Sequence, residues 1–206
     1  MTLINISLLT ISSLELAGVV FGLIAVRLLI KQNIWTWPVG IFYIAISLHI
    51  FYDSKLYADF ALHIFYLLMH LYGWVYWLQT DTEKKLKANI SKENQKMLLF
   101  LSVFSLIGIF VSGYLLSRFS DADLPYWDST TSILSLSAMW LQSRKRIECW
   151  GLWLFVDIIA AGVYFYKGIF FYSLLYIIYI GMAVLGFKQW QKSYLHEHTN
   201  HSSHRS

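Results

Sequence analysis

Seven mostly apolar stretches, separated by short polar breaks, organise the chain at about 12–30, 34–53, 56–79, 97–118, 125–142, 149–166 and 169–190. Each is near the roughly 20 residues a helix needs to cross a bilayer core. The pattern predicts an all-α membrane protein with seven transmembrane helices. Residues 1–190 are expected to form one transmembrane domain and 191–206 a disordered cytoplasmic tail.

The stretches repeat. Shifting the chain by 113 residues puts Trp37 on Trp150, Phe42 on Phe155, Tyr66 on Tyr179, Met69 on Met182, Gly73 on Gly186 and Trp77 on Trp190. Between Trp37–Trp77 and Trp150–Trp190 there are nine identities in 41 gapless positions. Upstream, Glu15 falls on Asp128. The stretch Met97–Arg118 has no partner under the shift. Three helices end on the face opposite the one where they began, so a second copy in the same orientation needs one extra crossing. The expected architecture is therefore 3+1+3: a repeat at about 12–79, a linker helix at about 97–118, and a repeat at about 125–190. Duplicated membrane bundles of this sort belong mainly to transporters, with the ligand held between the repeats.

Composition supports the membrane reading, with 57% hydrophobic residues, 14% charged residues and a mean hydropathy of +0.53. Thirteen of the sixteen Lys and Arg residues fall on one set of loops and the C-terminus, against Lys55, Arg118 and Lys167 on the other. By the positive-inside rule the N-terminus is expected outside and the C-terminus in the cytoplasm. Met1–Leu14 lacks the basic start of a cleavable signal. The net charge of +4 follows from the cytoplasmic loops and does not point to nucleic acid. The connector Asp81–Lys96 reads as a solvated loop or short helix. The tail, with His196, His198, His201 and His204, reads as having no function.

Ionisable groups within the spans are few, and each costs roughly 2.5–3.5 kcal/mol at mid-membrane on the insertion scale. In the sixth span Trp150, Trp153, Asp157 and Tyr164 share one helical face, followed by the small residues Ala160, Ala161 and Gly162. A central carboxylate beside indole faces suits a flat cationic ligand, whose charge pairs while its ring stacks. The alternative is a carboxylate bonded to a neighbouring hydroxyl or histidine for helix packing. In the third span Asp59, His63, Tyr66, His70 and Trp74 or Trp77 form a stripe, and the repeat puts Tyr172, Tyr176, Tyr179, Ala183 and Gly186 on the equivalent face. Histidines on such a face serve either packing or a pathway, and the spacing leaves both open. Glu15, Asp128 and Asp59 sit at span ends, where a rim role in pairing or capping is expected. Catalytic and cofactor signatures are missing: there is no HExxH, GxSxG, phosphate loop or cysteine-based metal spacing. No enzyme activity, cofactor or metal is expected. A retinal protein would need a lysine in mid-helix seven, but Lys167 and Lys188 lie at its ends.

Five segments together resemble the PnuC-type vitamin transporters over residues 12–190. They are Trp35-Thr36-Trp37-Pro38-Val39-Gly40-Ile41, Leu56-Tyr57-Ala58-Asp59, Leu71-Tyr72-Gly73-Trp74, Leu124-Pro125-Tyr126-Trp127-Asp128-Ser129 and Glu148-Cys149-Trp150-Gly151-Leu152-Trp153. The resemblance implies a duplicated fold related to the SWEET and SemiSWEET sugar transporters. It also implies a homotrimer in the bacterial inner membrane, and facilitated diffusion with trapping by cytoplasmic phosphorylation. Nicotinamide riboside members carry Trp-x-x-x-Asn in span six, where this chain has Trp153-Leu-Phe-Val-Asp157. They carry Gln and Asn in span three, where this chain has His63 and His70. Those departures, with Trp-Pro-Val-Gly and Ser54-Lys55-Leu56-Tyr57-Ala58-Asp59, resemble the thiamine branch, often called PnuT. The expectation is thiamine, a small cationic vitamin, bound midway between the repeats. Asp157 would be its anchor, Trp153, Trp150, Tyr66, Tyr176 and Tyr179 its aromatic surfaces, and His63 and His70 its polar contacts. Nicotinamide riboside or a flavin remains the alternative substrate, and proton coupling through Asp157, Glu15 or a histidine the alternative mechanism.

Overall fold

A computed structural model describes residues 13–53, 57–84 and 90–203 of the chain. Among them run seven α-helices: α1 Ser13–Ile30, α2 Thr36–Asp53, α3 Tyr57–Lys84, α4 Gln95–Phe119, α5 Pro125–Ser143, α6 Cys149–Tyr166 and α7 Phe170–Ser203. The predicted spans match the first six closely. Segments in α3, α4, α6 and α7 are long and apolar enough to cross a membrane. The chain divides into two compact units, Met1–Trp74 and Val75–Ser206.

Two expectations change. The tail placed at 191–206 is helical to Ser203, because an established helix adds residues without a new nucleation cost. The connector Asp81–Lys96, expected as a solvated loop or short helix, exposes Lys92, Asn94, Gln95 and Lys96 but is anchored in part. Its first part belongs to α3, Ile90 is buried, and Ser91 pairs with Arg146 in an isolated bridge. Asn94 then caps α4, its Oδ1 accepting from the Lys96 amide at 3.0 Å, as a side-chain cap should.

In the first unit α1 packs on α2, with Phe21 stacked on Phe42 at 6.0 Å and the Thr36 hydroxyl donating to the Ala25 carbonyl at 2.8 Å. In the second unit α4 packs on α5, α5 on α6, and α6 on α7. The helix α4 shows its apolar side chains outward, with only Ser105 and Gly113 buried. That is the pattern of a helix facing lipid rather than water. By contrast α5 is rich in hydroxyls and buries Ser129, Ser135, Ser137, Gln142 and Ser143. Its serines bond inward: Ser135 to the Thr131 carbonyl at 2.7 Å, and Ser137 with Ser105 of α4 at 2.8 Å.

Two turns that match under the 113-residue shift have like backbone geometry. The turn after α1 has Gln32 in the left-handed region at φ 55°, and the turn after α5 has Lys145 there at φ 53°. Gln32 N donates to Leu29 O and Asn33 N to Leu28 O, both at 2.9 Å. The shifted pairs are Lys145 N to Gln142 O at 3.0 Å and Arg146 N to Leu141 O at 2.9 Å. Both turns close their helix with the paired bonds of a Schellman cap. Each is followed by a tryptophan lying on a bare glycine. Trp37 covers Gly73, and Trp150 covers Gly186, so closely that a Cβ on either glycine would overlap the indole.

Gly186→Ala should therefore lower thermal stability by about 1–3 kcal/mol, the usual cost of overpacking. Gly181→Ala, where a Cβ meets nothing within 4 Å, should be neutral or slightly stabilising. Melting of the purified variants in detergent, followed by size-exclusion fluorescence, checks the contrast.

Candidate functional site

In the second unit, α6 brings Trp153 and Asp157 to one face, four residues apart. Asp157 is buried and is the ninth residue of an 18-residue helix counted from Cys149, so it lies near mid-span as expected. The indole of Trp153 is held from α5, its Nε1 donating to Gln142 Oε1 at 2.8 Å. Towards the far end of α6, Tyr164 stacks on Tyr172 at 5.5 Å and on Tyr176 at 5.4 Å, and Tyr176 meets Tyr179 edge-on at 5.9 Å. A ladder of phenol rings thus joins α6 to α7.

The first unit holds an equivalent set of rings. His63 meets Phe51 edge-on at 4.7 Å and Tyr66 at 5.2 Å, with Tyr43 at 6.5 Å. Under the repeat, Phe51, His63 and Tyr66 correspond to Tyr164, Tyr176 and Tyr179 (51, 63 and 66 plus 113). The same three positions form ring clusters in both units. Asp157 has the buried Ile44 as its counterpart, so the carboxylate belongs to one unit alone.

Two expected ligand contacts have packing work that accounts for their burial. His70 donates from Nδ1 to the Tyr66 carbonyl at 3.0 Å, meets Trp37 edge-on at 5.4 Å, and fills the space above Gly40. Trp150 lies on Gly186 and meets Trp190 edge-on at 5.4 Å. Gly40 and His70 match Trp153 and Ala183 under the shift. The first unit therefore has no indole at the position matching Trp153.

The polar ends of the spans are structural. Lys167 pairs with Asp128 at 3.6 Å, as expected of a rim carboxylate, and Asp128 sits in the first turn of α5, where a negative charge is favoured. The side chain of Asp59 lies outside the described residues, as do Ser54, Lys55 and Leu56. At the other end of α5 the turn to α6 is heavily tied. The guanidinium of Arg146 donates to Ser91 Oγ and to the Lys92 carbonyl, and pairs with Glu93 at 3.3 Å. Glu148 accepts from the Glu93 amide at 3.2 Å. Lys145 lies 4.3 Å above the Trp77 ring, whose Nε1 donates to the Ser143 carbonyl at 3.0 Å. Among the described residues no group of His, Cys, Asp and Glu could hold a metal. An open groove of about 490 Å³ runs along α4, α5 and α6. Its lining is mostly apolar, with Ser102, Ser105, Thr130, Ser137 and Glu148 among it, and includes neither Trp153 nor Asp157. We assign it to the membrane-facing flank and not to the site.

Gln142 is the residue that sequence reasoning missed. Its counterpart in the first repeat is Leu29 (142 − 113), so the signal was a polar residue in one copy facing an apolar one in the other.

The sequence model of the family described as "Nicotinamide mononucleotide transporter" matches residues 12–192. The nicotinamide riboside transporter PnuC of Escherichia coli (strain K12) is 25% identical over 207 residues, covering 89% of this chain and 87% of that protein. The riboflavin/roseoflavin transporter RibM of Streptomyces davaonensis is 24% identical over 178 residues, covering 85% and 83%. The crystal structure of the vitamin B3 transporter PnuC superposes with a TM-score of 0.72 at 20% identity, covering 93% of this chain and 86% of that one. That likeness establishes the fold.

Exchanging Asp128 for Asn should change stability by less than about 1 kcal/mol, since both partners are partly exposed and such pairs are worth little. It should leave ligand binding intact. Melting and binding of Asp128→Asn, each at low and high salt, check this; a lost ligand would move Asp128 into the site.

Proposed function

The chain belongs to the PnuC family, a multi-pass membrane transporter of vitamin type, and from that premise we propose that it carries thiamine into the bacterial cell by facilitated diffusion. Cytoplasmic phosphorylation would then trap the vitamin. One observation supports thiamine above the rest: Asp157 stands one turn from Trp153, in the place where nicotinamide riboside members of the resembled family carry Asn. A thiazolium cation and an exocyclic amine both favour a carboxylate over a carboxamide. Trp153 supplies the face on which a ring stacks. Tyr176 and Tyr179 are proposed as further aromatic contacts in the second unit, and His63 and Tyr66 are the matching pair in the first. His70 and Trp150 are proposed as further contacts, beside the packing already described.

We also propose the 3+1+3 reading of the chain, in which α1–α3 and α5–α7 are like-oriented repeats and α4 is the additional crossing. The matched Schellman turns and Trp-on-Gly contacts support it. The N-terminus is then outside, the C-terminus cytoplasmic, and the working form a homotrimer in the inner membrane.

Nicotinamide riboside is the second reading, favoured by the names of the E. coli relative and of the structural neighbour. Charge does not separate the two, because both carry a cationic ring. The substituted amide position does.

Counterflow of labelled thiamine in proteoliposomes, run beside nicotinamide riboside and riboflavin, should show exchange of thiamine first. Exchange of nicotinamide riboside without thiamine would replace the first reading by the second. Asp157→Asn should weaken thiamine binding by about tenfold or more, an ionic hydrogen bond being worth about 1.5–3 kcal/mol. Unchanged affinity would remove Asp157 from the site. Uptake should ignore an imposed pH gradient and protonophores; acceleration by inward proton flow would instead mark proton coupling.

A further inference from the structure

We propose that Gln142 is a positioning and specificity residue: its carbonyl oxygen fixes the Trp153 indole, and its amide nitrogen donates to an acceptor on the edge of the ring stacked there. The proposal rests on the reading of Trp153 and Asp157 as ligand contacts.

Its first support is the chemistry of the bond. An indole N–H is only a donor, so the carboxamide must turn its oxygen to Trp153 Nε1, 2.8 Å away. That choice orients the whole group and sends Nε2, with its two N–H donors, the other way. Gln142 is 6% exposed, and among the described residues the bond to Trp153 is the one its side chain makes. Nε2 is not among the fully buried polar atoms left without a partner, so its donors stand where the edge of a ligand can reach them.

The second support is rigidity. Gln142 lies in the last turn of α5, where its carbonyl accepts from the Arg144 and Lys145 amides. The next residue, Ser143, accepts from the Trp77 indole. Beyond it the turn is tied to residues 91–93 through Arg146 and Glu148. The side chain therefore stands on a fixed base, and the Trp153 ring is held in one plane before any ligand arrives. Such preorganisation reduces the ordering cost of binding.

Together the residues present a flat indole face, an amide donor at its edge and a carboxylate acceptor one helical turn along. The complement is a planar heteroaromatic whose edge carries an acceptor beside a donor amine. An aminopyrimidine has this arrangement in its ring nitrogens and exocyclic amine. Ligands lacking the edge acceptor should be discriminated against at this residue, because the Gln142 donors would then stay unpaired.

The test compares wild type, Gln142→Leu and Gln142→Glu for binding of thiamine and of an analogue whose pyrimidine ring nitrogens are replaced by C–H. Wild type should prefer thiamine by about tenfold or more. Gln142→Leu should weaken thiamine binding about tenfold and abolish the preference, with melting temperature nearly unchanged. Gln142→Glu keeps an oxygen for the indole but has no N–H, and should lose the preference as well. A wild-type preference that survives in both variants, or equal loss of both ligands, overturns the proposal. If wild type binds nicotinamide riboside and not thiamine, the substrate reading has failed separately. The same variants are then compared on that ligand and its decarboxamide analogue, with the same expectations. If wild type binds none of these vitamins, Gln142 falls together with the site.

Discussion

An indole lying flat on the bare backbone of a glycine is the contact on which both halves of this protein depend. Trp37 on Gly73 and Trp150 on Gly186 bring the second helix of each repeat against the third at a distance that no other residue at the glycine would allow. Lipid tails are as apolar as leucine, so helices in a bilayer gain little from hydrophobic burial. They associate through close packing of this kind. The turns that precede each tryptophan are built to aim it, with the same left-handed residue and the same pair of closing bonds. Neither left-handed position is glycine. In the second repeat the strained residue is Lys145, and its ammonium lies over the Trp77 face.

The two halves differ at the positions proposed for the ligand. Ile44 becomes Asp157, Leu29 becomes Gln142, and Gly40 becomes Trp153, each at an equivalent position. All three changes lie in the second repeat.

Much of the fold was legible in the sequence. The apolar runs placed six helices to within a few residues, and the 113-residue shift was carried by Trp and Gly, residues whose size is decisive at a close contact. The centre of α6 was legible for a related reason, since a carboxylate in an apolar run has few places to go. The rest required coordinates. The packing of His70 and Trp150 was not legible, because an aromatic stripe on a helix does not say which neighbour it meets, and the small partners Gly40 and Gly186 lie far away in sequence. Gln142 was passed over because it ends a hydroxyl-rich helix where one more polar residue stands out little. The connector after α3 was read as solvent-exposed from its charges, yet Arg146 and Glu148 meet it from 55 residues away.

That last tie has a mechanical meaning. The end of α3 is hooked to the α5–α6 turn by Trp77, and the entry to α4 is stitched to the same turn by Ser91 and Glu93. Each end is thus fastened to that turn by bonds of its own, and a cut in the chain between Lys84 and Ile90 would leave those bonds standing.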